Sequence, residues 1–482
     1  MKLFSELFRK PEQPKPEPMA MITPYDGVTL HQLYEGCLIM GGIGSGKTSG
    51  PGNEVTRFLL RQGCGVLWLC AKSDEADRAF KLCKSAGREN DIVHFHPKGK
   101  HRFQFLDYEL NSAGGGVQST GQLLTDLIEF ASRSDPSKSQ DAFWPMAASR
   151  LLRMCMGVVY MAQGTCSVKD LYQMVTSLPP SPDKLTDPEW QQSYCGLALG
   201  LAAENHGEDK LEFFAEYLME ELPKLDYRTK SNIMAQVMNT LDPFMSGDLT
   251  HLVTEKSTVT PDDLLDGKII ILDCPTLKYR EPGKFIQTVW KLATQRMALR
   301  RDVNINPKPI GIFQDEAQEF CLPRVDAATQ AVGRSAKLIS LAITQNIPLV
   351  IAALGGQSME KEAYSWLANF STKVFCSNHE MAETNKYASE LCGHSKHMFY
   401  GGSPGGAMHN YDIWDDFMGT RQAQASMNFH EQWHPDVPPE QFAKLKKGGD
   451  AFRFYVSAIV TQSGRVWSNG KQWIEGIWNQ KQ

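Results

Sequence analysis

Residues Gly36–Thr48 read GCLIMGGIGSGKT: a short apolar run, then glycines at 41, 42, 44 and 46, then Lys47 and Thr48. The last eight residues fit G-x-x-x-x-G-K-[ST], with a strand-like run before them and a helix-compatible stretch after them that ends near Gln62. Glycines let peptide N–H groups close around phosphate oxygens without Cβ clashes, and the following helix N-terminus adds partial positive charge. Gly41, Gly42, Ile43, Gly44, Ser45, Gly46, Lys47, Thr48 and Ser49 are therefore the expected nucleotide-binding residues. Lys47 would neutralise the outer phosphates and the Thr48 hydroxyl would ligate Mg²⁺. Pro51, inside Gly50-Pro51-Gly52, falls where the helix should continue, and it must remove a hydrogen bond there and bend the chain.

Outward from this motif the pattern is α/β. Gly65–Cys70, Lys268–Asp273, Pro309–Phe313, Leu338–Ile343 and Thr372–Ser377 are short apolar runs, separated by helical periods such as Gly283–Arg301. That alternation predicts a central, mostly parallel sheet. Between residues 112 and 255 the strand signals give way to helical periodicity, clearest in Phe143–Ala162 and Leu211–Leu222, so an all-α domain is expected to be inserted there. The nucleotide-binding domain is then split into 21–111 and 256–482. Residues 1–20 read as a short amphipathic segment on a proline-rich tether. His397–Pro439 lacks periodicity and reads as a long loop before a final β segment at Ala451–Val460.

Composition sets the outer limits. A chain of 482 residues with 42% hydrophobic and 22% charged side chains is neither disordered, collagenous nor a disulfide scaffold. The formal net charge of −5 excludes a surface that is basic all over, so nucleic acid would have to meet a local basic strip. The 11 cysteines form no C-x-x-C pair and suit a reducing compartment. No apolar stretch reaches the ~20 residues that span a bilayer.

A phosphate loop needs a carboxylate at the end of another buried strand. Ile310–Glu316 (IGIFQDE) supplies Asp315 to hold Mg²⁺ through water and Glu316 to polarise the attacking water. The next strand ends in Thr344-Gln345-Asn346, which puts Gln345 where it can sense a γ-phosphate. Arg334, eleven residues before Gln345, could reach a neighbouring subunit's nucleotide as an arginine finger, or it could be a surface arginine in a local ion pair.

The P-loop GGIGSGKT, the block IFQDEAQEF and the segment VGRSAKLISLAITQN together resemble the TraD/TraG-type coupling ATPases of type IV secretion, within the FtsK–HerA superfamily. Phe143-Trp144 with Ala147 and Ala148, LLDGKIIILDCPT, and VFCSNHEMAETNKYASELCGH extend the likeness over Gly36–Val456. The resemblance implies a RecA-like P-loop NTPase domain with an all-α insertion, assembled as a homo-hexamer around single-stranded DNA. It implies ATP and Mg²⁺ as ligands, catalytic roles for Lys47, Glu316, Gln345 and Arg334, and Asp315 as the second Mg²⁺ residue with Thr48. Relaxase or effector proteins are the expected partners. The expected location is the cytoplasm or the inner face of a bacterial membrane, with peripheral contact to the membrane or a secretion channel. Two departures stand out: the family's D-P-K-G-E segment is Cys70-Ala71-Lys72-Ser73-Asp74 in this chain, and the family's N-terminal membrane helices are absent.

The functional expectation is an ATP-driven DNA translocase or coupling protein. A nucleotide-gated adaptor that recruits substrates through the helical insertion, and a double-stranded DNA pump, are the alternatives. Lys444, Lys446 and Lys447, and Arg296 with Arg300 and Arg301, are candidate DNA-contacting patches, although charge runs are more often solvated faces. Cys392, His394 and His397, and His430 with His434, do not give four zinc ligands at familiar spacings.

Overall fold

The computed structural model describes residues 17–132, 143–245, 247–404 and 425–481. The amphipathic stretch expected at residues 1–10 lies outside them. Thirteen strands occur among the described residues. Nine form the central sheet: β3 (Cys37–Met40), β4 (Gly65–Leu69), β5 (Ile92–Phe95), β6 (Ile269–Leu272), β7 (Ile310–Asp315), β8 (Leu338–Thr344), β9 (Thr372–Cys376), β12 (Tyr455–Gln462) and β13 (Trp473–Asn479). Their order is β13-β12-β9-β3-β8-β7-β4-β6-β5. From β9 to β5 every pairing is parallel, and β12 and β13 add an antiparallel edge. The remaining strands pair locally, β1 (Met19–Met21) with β2 (Gly27–Thr29) and β10 (His394–Pro404) with β11 (Ala425–Pro435).

Strands β3, β4, β6 and β7 are buried along their whole length, as a parallel sheet covered on both faces requires. Period-two alternation divides their side chains between the covering layers. Val66 and Trp68 of β4 pack with the helix Asn53–Arg61, whereas Leu67 and Leu69 join the core on the other face. That second core runs without a break from the sheet through the helix Thr276–Arg300 into the helical segment, where Phe105, Leu151 and Phe244 are buried. Between β5 and β6 the described chain contains helices and no strand. The sequence-based expectation of a central α/β sheet interrupted by a helical run agrees with this architecture.

Three expectations are corrected. The region His397–Pro439 is not all loop, because β10 and β11 pair antiparallel over eleven residues on each strand. The last strands are shifted: Asp450–Phe452 is a 3-10 turn, β12 begins at Tyr455, and β13 follows it. Arg296 and Arg300 are not a free patch. Both guanidinium groups reach Glu109, at 3.1 and 2.7 Å, and both bond Ser119, while Arg301 donates to the Ala336 carbonyl at 2.6 Å. Glu109 is fully buried, so these arginines neutralise it and tie the helix Thr276–Arg300 to the helical segment.

Candidate functional site

The chain leaves β3 at Met40 and turns through Gly41–Lys47 at the carboxyl ends of the parallel strands. Strand β8 lies between β3 and β7, and the registers Met40 with Thr344 and Ile343 with Asp315 bring the three strand ends to one level. Gly41 N–H donates to the Thr344 carbonyl at 3.3 Å and Gly42 N–H to the Ser377 carbonyl at 2.9 Å, which pins the start of the loop between β8 and β9. Gly44 and Gly46 then take left-handed φ values of 67° and 77°. Among the described residues, the peptide N–H groups of Ile43, Gly44, Gly46 and Lys47 have no backbone acceptor. A loop with several unspent N–H groups at a helix start is an anion cradle.

The first turn after the loop shows what Pro51 does. Without an N–H at 51, the Lys47 carbonyl takes the N–H of Gly52 at 3.0 Å, and Thr48–Gly52 forms a π turn before the regular helix Asn53–Arg61. The C-terminal strands close over this turn. Val456 of β12 packs against Gly46 and Gly50, and Gln480 bridges Ser49 Oγ at 2.6 Å and the Gly449 N–H at 2.7 Å.

Asp315 and Glu316 stand at the end of β7, facing the loop. Thr48 Oγ1 is 3.1 Å from Asp315 Oδ2, so two hard oxygen donors meet at the spacing of neighbouring ligands on an octahedral ion. Burial alone would raise the Asp315 pKa, but the Arg78 guanidinium and the Lys72 ammonium, each 3.8 Å away, hold it below the usual carboxylate range. Glu316 occupies left-handed backbone space at φ 54°, which in a non-glycine residue costs ~1–3 kcal/mol and is typical of functional turns. Burial pushes its pKa up, yet bonds from Lys72 Nζ at 2.6 Å and Gln318 Nε2 at 2.9 Å bring it below normal, so it is ionised at neutral pH. Gln345 Nε2 lies 3.3 Å from Glu316 Oε2, and Thr344 Oγ1 fixes Gln318 through a 2.8 Å bond.

Three residues of this site were not singled out from the sequence: Lys72, Glu75 and Arg78. All follow β4, two strands from β8. Glu75 is buried and accepts the N–H of Ala71 at 2.6 Å; burial, then the Asp315 charge, drives its pKa well above normal. Lys72 is displaced upward: burial opposes its charge, but Asp315 and Glu316 outweigh that. Two signals were available: the polar run Lys72–Glu75 shortly after a buried strand, and the position of Lys72 within the segment set against the family's D-P-K-G-E.

Arg334 is separate from this cluster. It precedes β8 and so lies at the amino end of the sheet, largely exposed, with its guanidinium 3.5 Å from Glu35 Oε1. Lys47, Thr48, Asp315, Glu316 and Gln345 are thus brought together, and Arg334 is not. Among the described residues no cluster of three metal-ligating side chains occurs, and burial pushes the Cys392 thiol up to about 12; the side chains of His397 and His430 lie outside the described residues.

Residues 309–429 match the family model described as the TraM recognition site of TraD and TraG. Across that segment the chain resembles TraD and TraG. The segment runs from the start of β7 through the Asp315–Glu316 turn, Arg334 and Gln345 into the β10–β11 hairpin. Among solved structures, the plasmid coupling protein TrwB in complex with ADP and Mg²⁺ is 15% identical with a TM-score of 0.61, over 98% of this chain and 91% of that one. TrwB in complex with the GTP analogue GDPNP is 15% identical with a TM-score of 0.62 over the same shares. The unbound bacterial conjugative coupling protein TrwBdeltaN70 gives 14% and 0.59, over 94% of this chain and 86% of that one. At these identities the likeness establishes the fold, a RecA-like P-loop NTPase architecture. No curated protein matches the chain as a relative. No described helix is long and apolar enough to cross a membrane.

Proposed function

We propose that this chain is an ATP-hydrolysing coupling protein of the conjugative, type IV secretion kind, moving single-stranded DNA or a relaxase–DNA conjugate through a homo-hexameric ring. The observation that carries the reading is the pairing of an unspent N–H cradle at Ile43–Lys47 with the Asp315–Glu316 turn across a single intervening strand. Lys47 and the loop amides bind the phosphates. Thr48 and Asp315 hold Mg²⁺, which supplies charge neutralisation at the phosphates when bound. Glu316 orients and polarises water as an ionised base, and Gln345, within reach of that carboxylate, reports the γ-phosphate to β8 and β9. Lys72 restrains Glu316 in the resting arrangement. Arg334 lies at the opposite pole of the sheet from its own P-loop, which supports a role toward a neighbouring subunit's nucleotide. Residues 112–255 are taken as the inserted domain, with 21–111 and 256–482 as the split nucleotide-binding domain.

TrwB has been captured with ADP and Mg²⁺ and with nucleotide analogues, which supports nucleotide and Mg²⁺ as ligands of this chain too. The experiment is steady-state ATP turnover with and without single-stranded DNA. Lys47→Ala should abolish turnover and Glu316→Gln should bind ATP without hydrolysing it, while the parent should be stimulated by DNA. A turnover rate that does not respond to DNA, with no DNA retained in a mobility-shift assay, removes the motor reading. A protein-recruiting role is favoured by one observation of its own: the matched family model is defined by recognition of a protein, TraM. That reading places a relaxosome-type partner on the segment 309–429 and the chain beside a membrane-bound secretion channel.

A further inference from the structure

At the amino ends of β3, β8 and β9, opposite the P-loop, a cavity of about 940 Å³ opens beneath Arg334. Its deepest charged group is Lys373, on β9, whose side chain is almost completely buried. The Lys373 ammonium donates to the Phe370 carbonyl, and among the described residues no carboxylate bonds it. Retaining an ammonium ion in such a place costs several kcal/mol unless something compensates it. Burial alone lowers its pKa to about 8, which leaves it mostly charged at neutral pH.

Ser371 immediately precedes β9, and it lines the same cavity as Lys373. Among the described residues its Oγ is buried without a hydrogen-bond partner, as is Nε2 of Gln330, and both residues line the same cavity. The space for the Gln330 amide exists because residue 36 is glycine. A Cβ at Gly36, where φ is 81°, would fall 2.4 Å from Gln330 Nε2 and 2.9 Å from Phe370. Arg334 supplies a further cation at the rim, only loosely paired with Glu35 at 3.5 Å. Arg465 forms part of the wall, but it is spent on the Gly27 carbonyl at 2.8 Å and Gln462 at 3.0 Å. The cavity thus presents Lys373, Ser371, Gln330 and Arg334 as donors against the single carboxylate of Glu35. Two of these, Ser371 and Gln330, are unpaired buried donors, which are costly and rare in native proteins, and the four together suit a ligand with several acceptor oxygens better than the two of a carboxylate.

We infer that this cavity is a second ligand site, built for a phosphate-class oxyanion and distinct from the P-loop at the other pole of the sheet. The phosphate can belong to a small free ligand or to a nucleic-acid backbone, and the same donors serve both.

The test uses the full chain carrying Lys47→Ala, which removes phosphate binding at the P-loop, with pyrophosphate as the probe in isothermal titration. One pyrophosphate site per chain should persist in this background. Adding Lys373→Met should weaken it at least tenfold, Lys373→Arg should retain it within about threefold, and acetate should not compete. Ser371→Ala, a smaller change, should weaken it several-fold and covers the case in which Lys373→Met fails to fold. In a second arm, a single-stranded oligonucleotide replaces pyrophosphate. Loss of both ligands in Lys373→Met assigns the phosphate to a nucleic-acid strand, and loss of pyrophosphate alone assigns it to a small ligand. No pyrophosphate site in the Lys47→Ala chain, or an affinity unmoved by both Lys373→Met and Ser371→Ala, overturns the inference.

Discussion

Replacing Gly46 and Gly44 separately by alanine measures how tightly the C-terminal strands clamp the P-loop. Both glycines hold left-handed φ values, 77° and 67°, so each substitution carries the same backbone penalty of ~1–2 kcal/mol, offset by ~0.4–1 kcal/mol from a less flexible unfolded chain. Their surroundings differ. A Cβ at Gly44 meets nothing within 4 Å, whereas one at Gly46 would lie 2.4 Å from Val456 Cγ2 and 3.0 Å from the Lys447 carbonyl. Overpacking of that kind adds ~1–3 kcal/mol. Gly44→Ala should therefore cost no more than about 1.6 kcal/mol and Gly46→Ala about 1–4.6 kcal/mol, a difference of about 1–3 kcal/mol. The assay is urea denaturation by tryptophan fluorescence, paired with affinity for fluorescent ADP and Mg²⁺. Val456→Ala in the Gly46→Ala background should recover ~1 kcal/mol or more, because it removes the methyls that the new Cβ strikes. Two alanine variants of equal stability, within ~0.5 kcal/mol, would refute the idea that β12 presses on the loop.

Other outcomes rest on the charges and the arrangement of the sheet. Lys291 is fully buried, with its ammonium on both oxygens of Asp326 at 2.8 and 2.7 Å and on the Phe320 carbonyl, so Lys291→Met should cost ~3–5 kcal/mol in the same denaturation assay by stranding that carboxylate. Lys373 has a folded pKa near 8, below its unfolded value, so the unfolded chain binds the extra proton between the two and stability attributable to this residue rises as pH climbs from about 8 toward 10. Lys373→Met should accordingly stabilise the protein by up to ~3 kcal/mol at pH 7 when no anion is bound, and calorimetry across pH 7–10.5 should show that gain fading. Arg334→Ala should leave ADP affinity unchanged and lower turnover at least a hundredfold. Mixing it with Lys47→Ala subunits should restore part of the rate; no recovery on mixing would remove the trans assignment.

Legibility in the sequence tracks how locally each feature is determined. The P-loop lies within eight residues, and its strand context is set by the apolar run Cys37–Met40, so both were legible, as was the disruption at Pro51. Asp315 and Glu316 were legible because they end a run buried on both faces. Lys72 and Arg78 were not: nothing in their neighbourhood says that β4 lies beside β7, and their partners are more than 230 residues away in the chain. The hairpin β10–β11 was read as loop because it pairs only with itself, and a strand pair outside the main sheet has no need of the alternation that marks a half-buried one. Arg296 and Arg300 read as a solvated patch because charge runs usually are. The counter-signal was Glu109, an acid set between Tyr108 and Leu110 on the side of the helix Phe105–Asn111 that is buried with Phe105, Leu106 and Leu110, where it needs cations.

The π turn at Thr48–Gly52 has a geometric consequence. A helix that closes one turn with five residues instead of four contains one residue more than its regular counterpart, and each residue rotates the remainder of the helix by about 100°. The turn is therefore geometrically equivalent to a regular helix carrying one additional residue at the base of the P-loop. Its effect is to turn Val55, Phe58 and Leu59 onto the sheet while Thr48 keeps its direction toward Asp315. Deleting that one residue would leave every binding residue in the sequence and set the helix beneath them on the wrong face.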